Sequence, residues 1–509
     1  MNRLRVCETN ISWVVLTGLY AYKIKKNVRF AFIDASTLAK RHHLCEEELR
    51  LNRRLSPALY LDVVPITREP GGLSVDGEGV IAEYAVRMRQ FDASQELSAL
   101  LDHHDVDPRE LADLGLRMAR FHEDAAAAAF DANFPHTAQL HDAVLGNLAT
   151  LLCHVDGVTM LPELGHLIDW THDYLHDSLP QLRMRELHGA IRECHGDLHA
   201  RNIARWEGQL LPFDCLDFDP KLRWIDVMND VAFLVMDLTA HGRKDLASAF
   251  LNAYLERTGD YDGVRHLPFY SVYRALVRAM VDSLAVEGDA EKRREFRDRL
   301  RKRVKAAAEF ATQPTPALFI MHGLSGSGKS WLSERLAPLL GAVRIRSDVE
   351  RKRLDGTASM SGVGGAGFDE GLYAPPMNHR TYAHLLECAE SCLEGGMNTI
   401  VDAAFLRMDD RRLFRDLAAR QGVELIILSC EADSTTLAER LRQRTGAGVD
   451  PSDAGLDVLE HQLRSQEHLG ADERSQAIEV DTMQSLACEK GALAIRDLLS
   501  SVKLSLPTT

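Results

Sequence analysis

The chain has no surplus of positive charge, no apolar leader and no apolar run long enough to cross a bilayer. It also has no paired cysteine framework. Lys and Arg number 60 against 75 Asp and Glu, a net charge of −15. That balance excludes a general electrostatic pull onto nucleic acid or an anionic membrane surface. The N-terminus carries no continuous apolar stretch after a basic start, so no secretory signal is expected, and no window is apolar enough to span a membrane. The nine cysteines (Cys7, Cys45, Cys153, Cys194, Cys215, Cys388, Cys392, Cys430 and Cys488) are odd in number and scattered. This pattern reads as reduced thiols in a cytoplasmic protein. Cys388 and Cys392 lie one helical turn apart and could form half of a metal site, but no second pair sits near them, and buried thiols are the simpler reading. No internal repeat is present.

What the chain does have is the composition of a globular protein, 45% hydrophobic and 27% charged over 509 residues. That length exceeds one ordinary core, so two or three domains are expected. Ile11 to Thr17 and Tyr20 to Lys25 read as strands about a Gly18 turn, and Leu44 to Leu55 as a helix. Tyr60 to Val64 and Val80 to Tyr84 are further strands. From Pro108 the pattern turns helical, with Leu111, Leu114, Met118 and Phe121 at helical spacing. The Arg- and Lys-rich stretch 292–305 interleaves Glu295 and Asp298 with its bases, which fits a solvated helix face better than a nucleic-acid arm. Gln313-Pro314-Thr315-Pro316 breaks that helix and sets the boundary between domains 1–312 and 313–509. Beyond it strands and helices alternate: Ala317 to Met321, Val343 to Arg346, Asn398 to Val401, Glu424 to Leu428 and Ala477 to Val480 are near-continuous apolar strands. Such alternation implies an α/β domain with a parallel sheet covered on both faces. The Gly- and Ser-rich segment 357–371 is expected to be a mobile loop.

In the second domain, Gly323-Leu324-Ser325-Gly326-Ser327-Gly328-Lys329-Ser330 matches the full G-x-x-x-x-G-K-[ST] pattern between an apolar strand and a helix. Gly323, Ser325, Gly326, Ser327 and Gly328 let main-chain amides converge on phosphate oxygens at a helix N-terminus. Lys329 is placed to reach the β and γ phosphates of ATP, and Ser330 to ligate Mg²⁺. Asp402 ends the strand before it and could hold Mg²⁺ or its water, or cap the next helix. Asp348 follows the strand Val343 to Arg346, where a carboxylate can cap the next helix or face a bound acceptor. Arg440 and Arg444, one turn apart, could neutralise charge on a transferring phosphoryl group or form a salt-bridged surface helix with Glu439. The set resembles the small P-loop kinases of the polynucleotide kinase, zeta toxin and gluconate kinase group. That likeness implies the base role for Asp348 and a lid role for Arg440 and Arg444.

The first domain carries a second signal. His195-Gly196-Asp197-Leu198-His199-Ala200-Arg201-Asn202 and Pro212-Phe213-Asp214-Cys215-Leu216-Asp217-Phe218 together resemble the aminoglycoside and choline phosphotransferase family, which shares the protein-kinase fold. The resemblance implies a bilobal α+β kinase-like domain. Asp197 would orient and deprotonate an acceptor hydroxyl, and Asn202 and Asp214 would hold Mg²⁺ against ATP. Asp217 and Asp219 would serve the local turn, and Asp226 and Asp230 would brace the loop. Lys23, with Lys25 on the same face, is placed as the phosphate-binding lysine. Glu48, or Glu47, is its ion-pair partner, and Glu83-Tyr84-Ala85 is the adenine hinge. The chain begins almost at the strand Ile11 to Thr17 and has no Gly-rich loop before Lys23, so the small lobe is expected to lack one earlier strand.

Overall, the chain resembles bacterial fusions of an aminoglycoside-phosphotransferase-like domain with an AAA-type P-loop domain. The implied activity is ATP-dependent phosphoryl transfer to a hydroxyl of a small-molecule acceptor. A nucleotide-binding regulatory ATPase or pseudokinase, and a nucleic-acid 5′-kinase, are the alternatives; the acidic balance argues against the last.

Overall fold

The computed structural model describes residues 4–30, 33–130, 135–154, 162–284, 290–312, 315–356, 375–447, 456–483 and 489–497 apart from 492 and 496. The expected mobile loop 357–371 lies outside the described residues. The chain divides into two compact units, one of residues 1–242 with 270–307, the other of residues 243–269 with 308–509. Residues 243–269, assigned to the first domain on sequence, thus group with the second unit.

The first unit opens with β1 (Arg5–Glu8), β2 (Ser12–Leu16) and β3 (Tyr20–Lys25). A short hairpin follows, β4 (Arg29–Phe30) and β5 (Ile33–Asp34), and then α1 (Leu38–Arg53), β6 (Tyr60–Glu69), β7 (Gly72–Val75) and β8 (Val80–Arg89). Six of these strands form one antiparallel sheet in the order β1-β2-β3-β8-β6-β7. The strand thought to be missing is therefore present: β1 pairs with β2, Arg5 opposite Leu16. Its apolar positions, Val6 among them, are too exposed to leave the alternation that marks a strand in sequence. α1 starts at the Thr37 cap, whose side chain accepts from the Lys40 amide. It buries Cys45, Glu48 and Asn52 along one stripe.

The helical part of the unit comprises α2 (Leu97–Asp102), α3 (Pro108–Asp124), α4 (His136–His154), α5 (Pro162–Asp177) and α6 (Leu179–Leu187). α3 begins with a reciprocal Asp107–Glu110 capping box and Pro108 in its first turn, and it buries Leu111, Leu114, Met118 and Phe121 as their spacing requires. Next come β9 (Ile191–Glu193), the hairpin β10 (Ile203–Trp206) and β11 (Gln209–Pro212), β12 (Trp224–Asp226) and α7 (Val227–Ala240). The loop His195 to Asn202 runs from β9 to β10. α8 (Lys244–Thr258) and α9 (Tyr261–Val264) belong to the second unit, and α10 (Leu267–Leu284) and α11 (Ala290–Ala311) complete the connection. The basic residues of α11 pair as a solvated face would: Arg303 with Asp282 at 2.8 Å, Arg299 with Glu295 and Arg301 with Asp298. Its other face buries Phe296, Leu300, Val304 and Ala307.

The second unit continues with β13 (Ala317–His322), α12 (Lys329–Leu340), β14 (Val343–Arg346), α13 (Ser347–Leu354), α14 (Pro375–Glu394), β15 (Thr399–Asp402) and α15 (Met408–Gln421). It ends with β16 (Glu424–Glu431), α16 (Ser434–Ala447), α17 (Leu456–Ser465), α18 (Ala471–Arg474) and β17 (Ala477–Asp481). Five strands form an all-parallel sheet in the order β14-β15-β13-β16-β17. Central β13 is buried along almost its whole length, which is why its sequence is continuously apolar. α8 covers the sheet edge: Asn252 accepts from the Arg344 amide at 2.7 Å and donates to the Ala342 carbonyl at 2.9 Å. One side chain thereby satisfies backbone groups that an edge strand would otherwise leave unpaired.

Candidate functional site

Each unit holds one candidate site. In the second unit the loop after β13 turns straight into α12, with Gly328 at the helix N-cap. Gly326 and Gly328 take φ values of 84° and 90°. A side chain at Gly326 would meet the Leu437 carbonyl at 2.9 Å, and one at Gly328 would meet Thr482 Cβ at 3.0 Å. Both positions therefore require glycine. Lys329 is the first residue of α12, and its Nζ donates to the carbonyls of Gly323 at 2.9 Å and Leu324 at 2.8 Å, which folds it over the loop. Ser327 is buried, and its Oγ has no hydrogen-bond partner among the described residues.

An open cleft of about 1040 Å³ faces this loop. It is lined by Ser325, Gly326, Gly328, Lys329 and Ser330, and also by Asp348, Asp402 and Arg440. Asp402 is the last residue of β15, is buried, and accepts from Ser333 Oγ at 2.9 Å, so it is no helix cap. Asp348 is not a cap either, because Arg346 takes that position and Asp348 stands half-buried in the first turn of α13. Arg440 does not pair with Glu439 as a surface helix would. It reaches the Gly326 carbonyl at 3.3 Å and Thr482 Oγ1 at 3.1 Å. Arg444 falls in α16, but its side chain lies outside the described residues. Gly323 and Ser327 lie behind the loop and do not line the cleft.

Three contributors escaped the sequence. Gln462 of α17 accepts from the Ser325 amide at 2.8 Å, at the cleft wall. Burial pushes the carboxyl of Asp410, another lining residue, above the usual aspartate range. Arg346 lines the cleft and is held by Glu256 of α8 at 2.8 Å; Glu256 also takes Arg344 at 3.1 Å. The acid comes from far upstream, so only the fold discloses it. Glu256→Gln is expected to weaken the α8–β14 contact by about 2 kcal/mol. Amide exchange across Val343–Arg346 should accelerate while exchange in β8 stays unchanged. Unaltered exchange in β14 would mean that Glu256 does not hold that edge.

Oxygen donors at Ser330 and Asp402 and a glycine cradle beside Lys329 together fit a magnesium–triphosphate group.

In the first unit, Lys23 and Lys25 both point from β3 to Glu48 of α1, at 2.7 and 2.8 Å. Lys23 also meets Asp214 at 2.5 Å, and Lys25 pairs with Asp217. The Lys23–Lys25 ambiguity thus resolves into one network using both. Glu47 is excluded as the partner, because it pairs with Arg50 at 2.8 Å on the outer side of α1. Asp217 is corrected too: it is a buried ion-pair partner and not a turn residue. Glu48 is fully buried, and although burial raises its pKa, the two lysines outweigh that and hold it at about 2.

Asp197 and Asn202 meet at 2.9 Å, and His199 Nε2 lies 3.3 Å from the same carboxylate. Burial opposes the charge on Asp197, but His199 brings its pKa below the usual range. The loop is braced from behind. Asp230 accepts from the amides of His195 at 3.0 Å and Gly196 at 2.9 Å, Asp237 from that of Ala200 at 2.9 Å, and Arg274 donates to the Gly196 carbonyl at 3.1 Å. Asp226 takes the Arg185 guanidinium at 2.7 and 2.8 Å. Asp237 and Arg274 were not foreseen, although Asp237 lies two helical turns after Asp230 on α7, a spacing that could have shown it. Asp214 has a left-handed φ of 62°, fixed by Tyr60 Oη accepting from its amide and by Asn52 Oδ1 accepting from that of Cys215.

The expected hinge fails. Ala85 lies inside β8, opposite both Ile24 and Val64, so strands on either side occupy this stretch of backbone. The strand leaves the sheet only after Arg89.

A family model described as an AAA domain matches residues 318–469. The uncharacterized proteins Rv2004c of Mycobacterium tuberculosis H37Rv and Mb2027c of Mycobacterium bovis are each 31% identical to this chain over 448 residues, 87% of it and 87% of each of them. Among solved structures, a gluconokinase from Sinorhizobium meliloti 1021 is 22% identical, with a TM-score of 0.28, covering 38% of this chain and 98% of its own. A choline/ethanolamine kinase family protein from Mesorhizobium loti is 13% identical, with a TM-score of 0.37, covering 61% and 92%. No helix among the described residues is long and apolar enough to cross a membrane.

Proposed function

Since the chain belongs to the family of Rv2004c and Mb2027c and itself joins a kinase-like unit to an AAA-type P-loop unit, we propose that its second unit transfers the γ-phosphoryl group of ATP to a hydroxyl of a small-molecule acceptor. The observation that carries this reading is the single cleft on which Lys329, Ser330, Asp348 and Asp402 converge. Bound magnesium, held by Ser330 and Asp402, would neutralise charge on the triphosphate. The loop amides and Lys329 bind and orient the phosphates. Asp348, on the first turn of α13, accepts the proton of the acceptor hydroxyl. Arg440, tied to the loop at Gly326, adds fixed positive charge beside it. Asp348→Asn is expected to lower phosphoryl transfer on the order of 10²- to 10⁴-fold while leaving ATP affinity within about threefold in a titration. Unchanged transfer would remove Asp348 from the reaction.

For the first unit, Asp197 as base, Asn202 and Asp214 as magnesium ligands and Lys23 with Glu48 as the phosphate clamp support a second phosphotransfer site. A regulatory nucleotide site is favoured by two features. Lys23 engages Asp214 directly, and the β1–β2 connection is a tight turn closed by Thr9 and Ser12 instead of a glycine-rich cover over phosphates. Asp197→Ala separates the two: loss of one of two ATP-consuming activities supports phosphotransfer, and altered binding with unaltered turnover supports regulation.

A further inference from the structure

Behind the cleft of the second unit, three metal-ligating side chains converge that the phosphotransfer chemistry does not use. Glu350 is on α13, and His384 and Cys388 lie one turn apart on α14. Their ligand atoms all fall within 4.8 Å of one another. We propose that Glu350, His384 and Cys388 form a zinc site that ties α13 to α14.

The distances carry it. His384 Nε2 is 3.1 Å from Glu350 Oε2 and 3.5 Å from Cys388 Sγ. A tetrahedral zinc ion with Zn–N and Zn–O near 2.0–2.1 Å and Zn–S near 2.3 Å sets its ligand atoms roughly 3.3 Å (N to O) and roughly 3.5 Å (N to S) apart. The mixed S, N, O set suits zinc better than magnesium or calcium, which take oxygen alone. A thiolate and a carboxylate also balance a dication, and the thiol proton leaves to solvent as the ion binds.

The surroundings have the form of an outer shell. Arg353 pairs with the other oxygen of Glu350, as a partner fixing a ligating carboxylate would, and Glu387 stands 3.9 Å from His384 Nδ1. Tyr261 of α9 supplies an independent observation. It is 1% exposed, and its hydroxyl has no hydrogen-bond partner among the described residues. Its helix α9 packs against α14, which carries His384 and Cys388. An orphan phenol beside this cluster has a use if a ligand or its bound water sits there. Glu350 is fully buried and Cys388 nearly so, while His384 is 27% exposed and leaves a route of entry. The helices so joined are those that bring Asp348 and Arg351, and Asn378 and Tyr382, to the cleft wall.

The test uses the full chain, stripped with chelator, desalted and titrated with zinc alone. Metal content after a second desalting should approach about one zinc per chain. Replacing zinc by cobalt should give an intense thiolate-to-cobalt charge-transfer band. Cys388→Ser and His384→Ala should each lower retained zinc at least tenfold, whereas Cys392→Ala, one turn further along α14, should keep it. Failure of the chain to retain zinc at micromolar concentration overturns the site. So does equal retention by Cys388→Ser, or equal loss in Cys392→Ala. If the variants do not fold, the spectrum of the unsubstituted chain decides: cobalt without a sulfur band overturns the proposal. Phosphotransfer is not part of the readout, so the result stands apart from the reading of the cleft.

Discussion

Lys329→Ala is expected to lower ATP turnover by the second unit on the order of 10³-fold, with a higher KM for ATP. The side chain is the one cation placed within the phosphate loop itself, held there by two carbonyls at 2.8 and 2.9 Å. Those bonds leave the ammonium poised above the amides that face the cleft. A triphosphate arriving there exchanges two neutral carbonyls for charged oxygens, and the interaction strengthens as charge builds on the γ-phosphoryl group. Removing it deletes stabilisation of the transition state and not merely of the ground state, so kcat and KM both move. The fold should be indifferent, since Lys329 is only half-buried and its two carbonyl contacts lie within its own loop. A coupled assay with matched melting curves checks both halves of the expectation. Turnover within fivefold of the unsubstituted chain would place ATP hydrolysis elsewhere.

The second large effect is on stability. Glu48→Ala leaves Lys23 and Lys25 facing each other across the gap left by a fully buried carboxylate. Removing one partner from such a buried network costs about 3–5 kcal/mol, because each desolvated lysine is left with one carboxylate, Asp214 or Asp217, in place of two. Amide exchange in β3 and α1 should rise by orders of magnitude, with the strands of the second unit unaffected. The pH dependence has a definite sign. The Glu48 pKa is depressed in the folded chain to about 2, against about 4.3 when unfolded. Its stabilisation is therefore fully present above the unfolded value and is lost as pH falls towards about 2. Glu48→Gln should flatten that acid limb. A variant that keeps the full acid dependence would show that other carboxylates account for it.

The contiguous motifs were the legible part. A loop whose glycines, lysine and serine are adjacent needs no tertiary knowledge, and parallel strands deliver their ends to one edge of the sheet, which made Asp402, the last residue of its strand, and Asp348, two residues past the end of its own, stand out. Glu48 was preferred to Glu47 as the ion-pair partner, although α1 has little amphipathic contrast to reveal which glutamate is buried. What stayed hidden depends on matches between distant segments. Asn252 and Glu256 look like ordinary helix-surface residues, and only the packing of α8 against β14 gives them work. The hinge failed because the apolar run of β8 gave no sign that the strand would continue to Arg89 with neighbours on both sides. β1 was missed because an edge strand with exposed side chains carries almost no hydrophobic pattern.

The most direct test of γ-phosphoryl transfer in the P-loop cleft is a label-transfer measurement. The full chain and its Lys329→Ala variant are incubated with magnesium, γ-labelled ATP and a pool of polyhydroxylated metabolites, and the label is followed by chromatography. Label should appear in an organic phosphate ester with the unsubstituted chain and fall on the order of 10³-fold with the variant. Label recovered only as inorganic phosphate, or an ester formed equally by both proteins, would contradict transfer at that cleft.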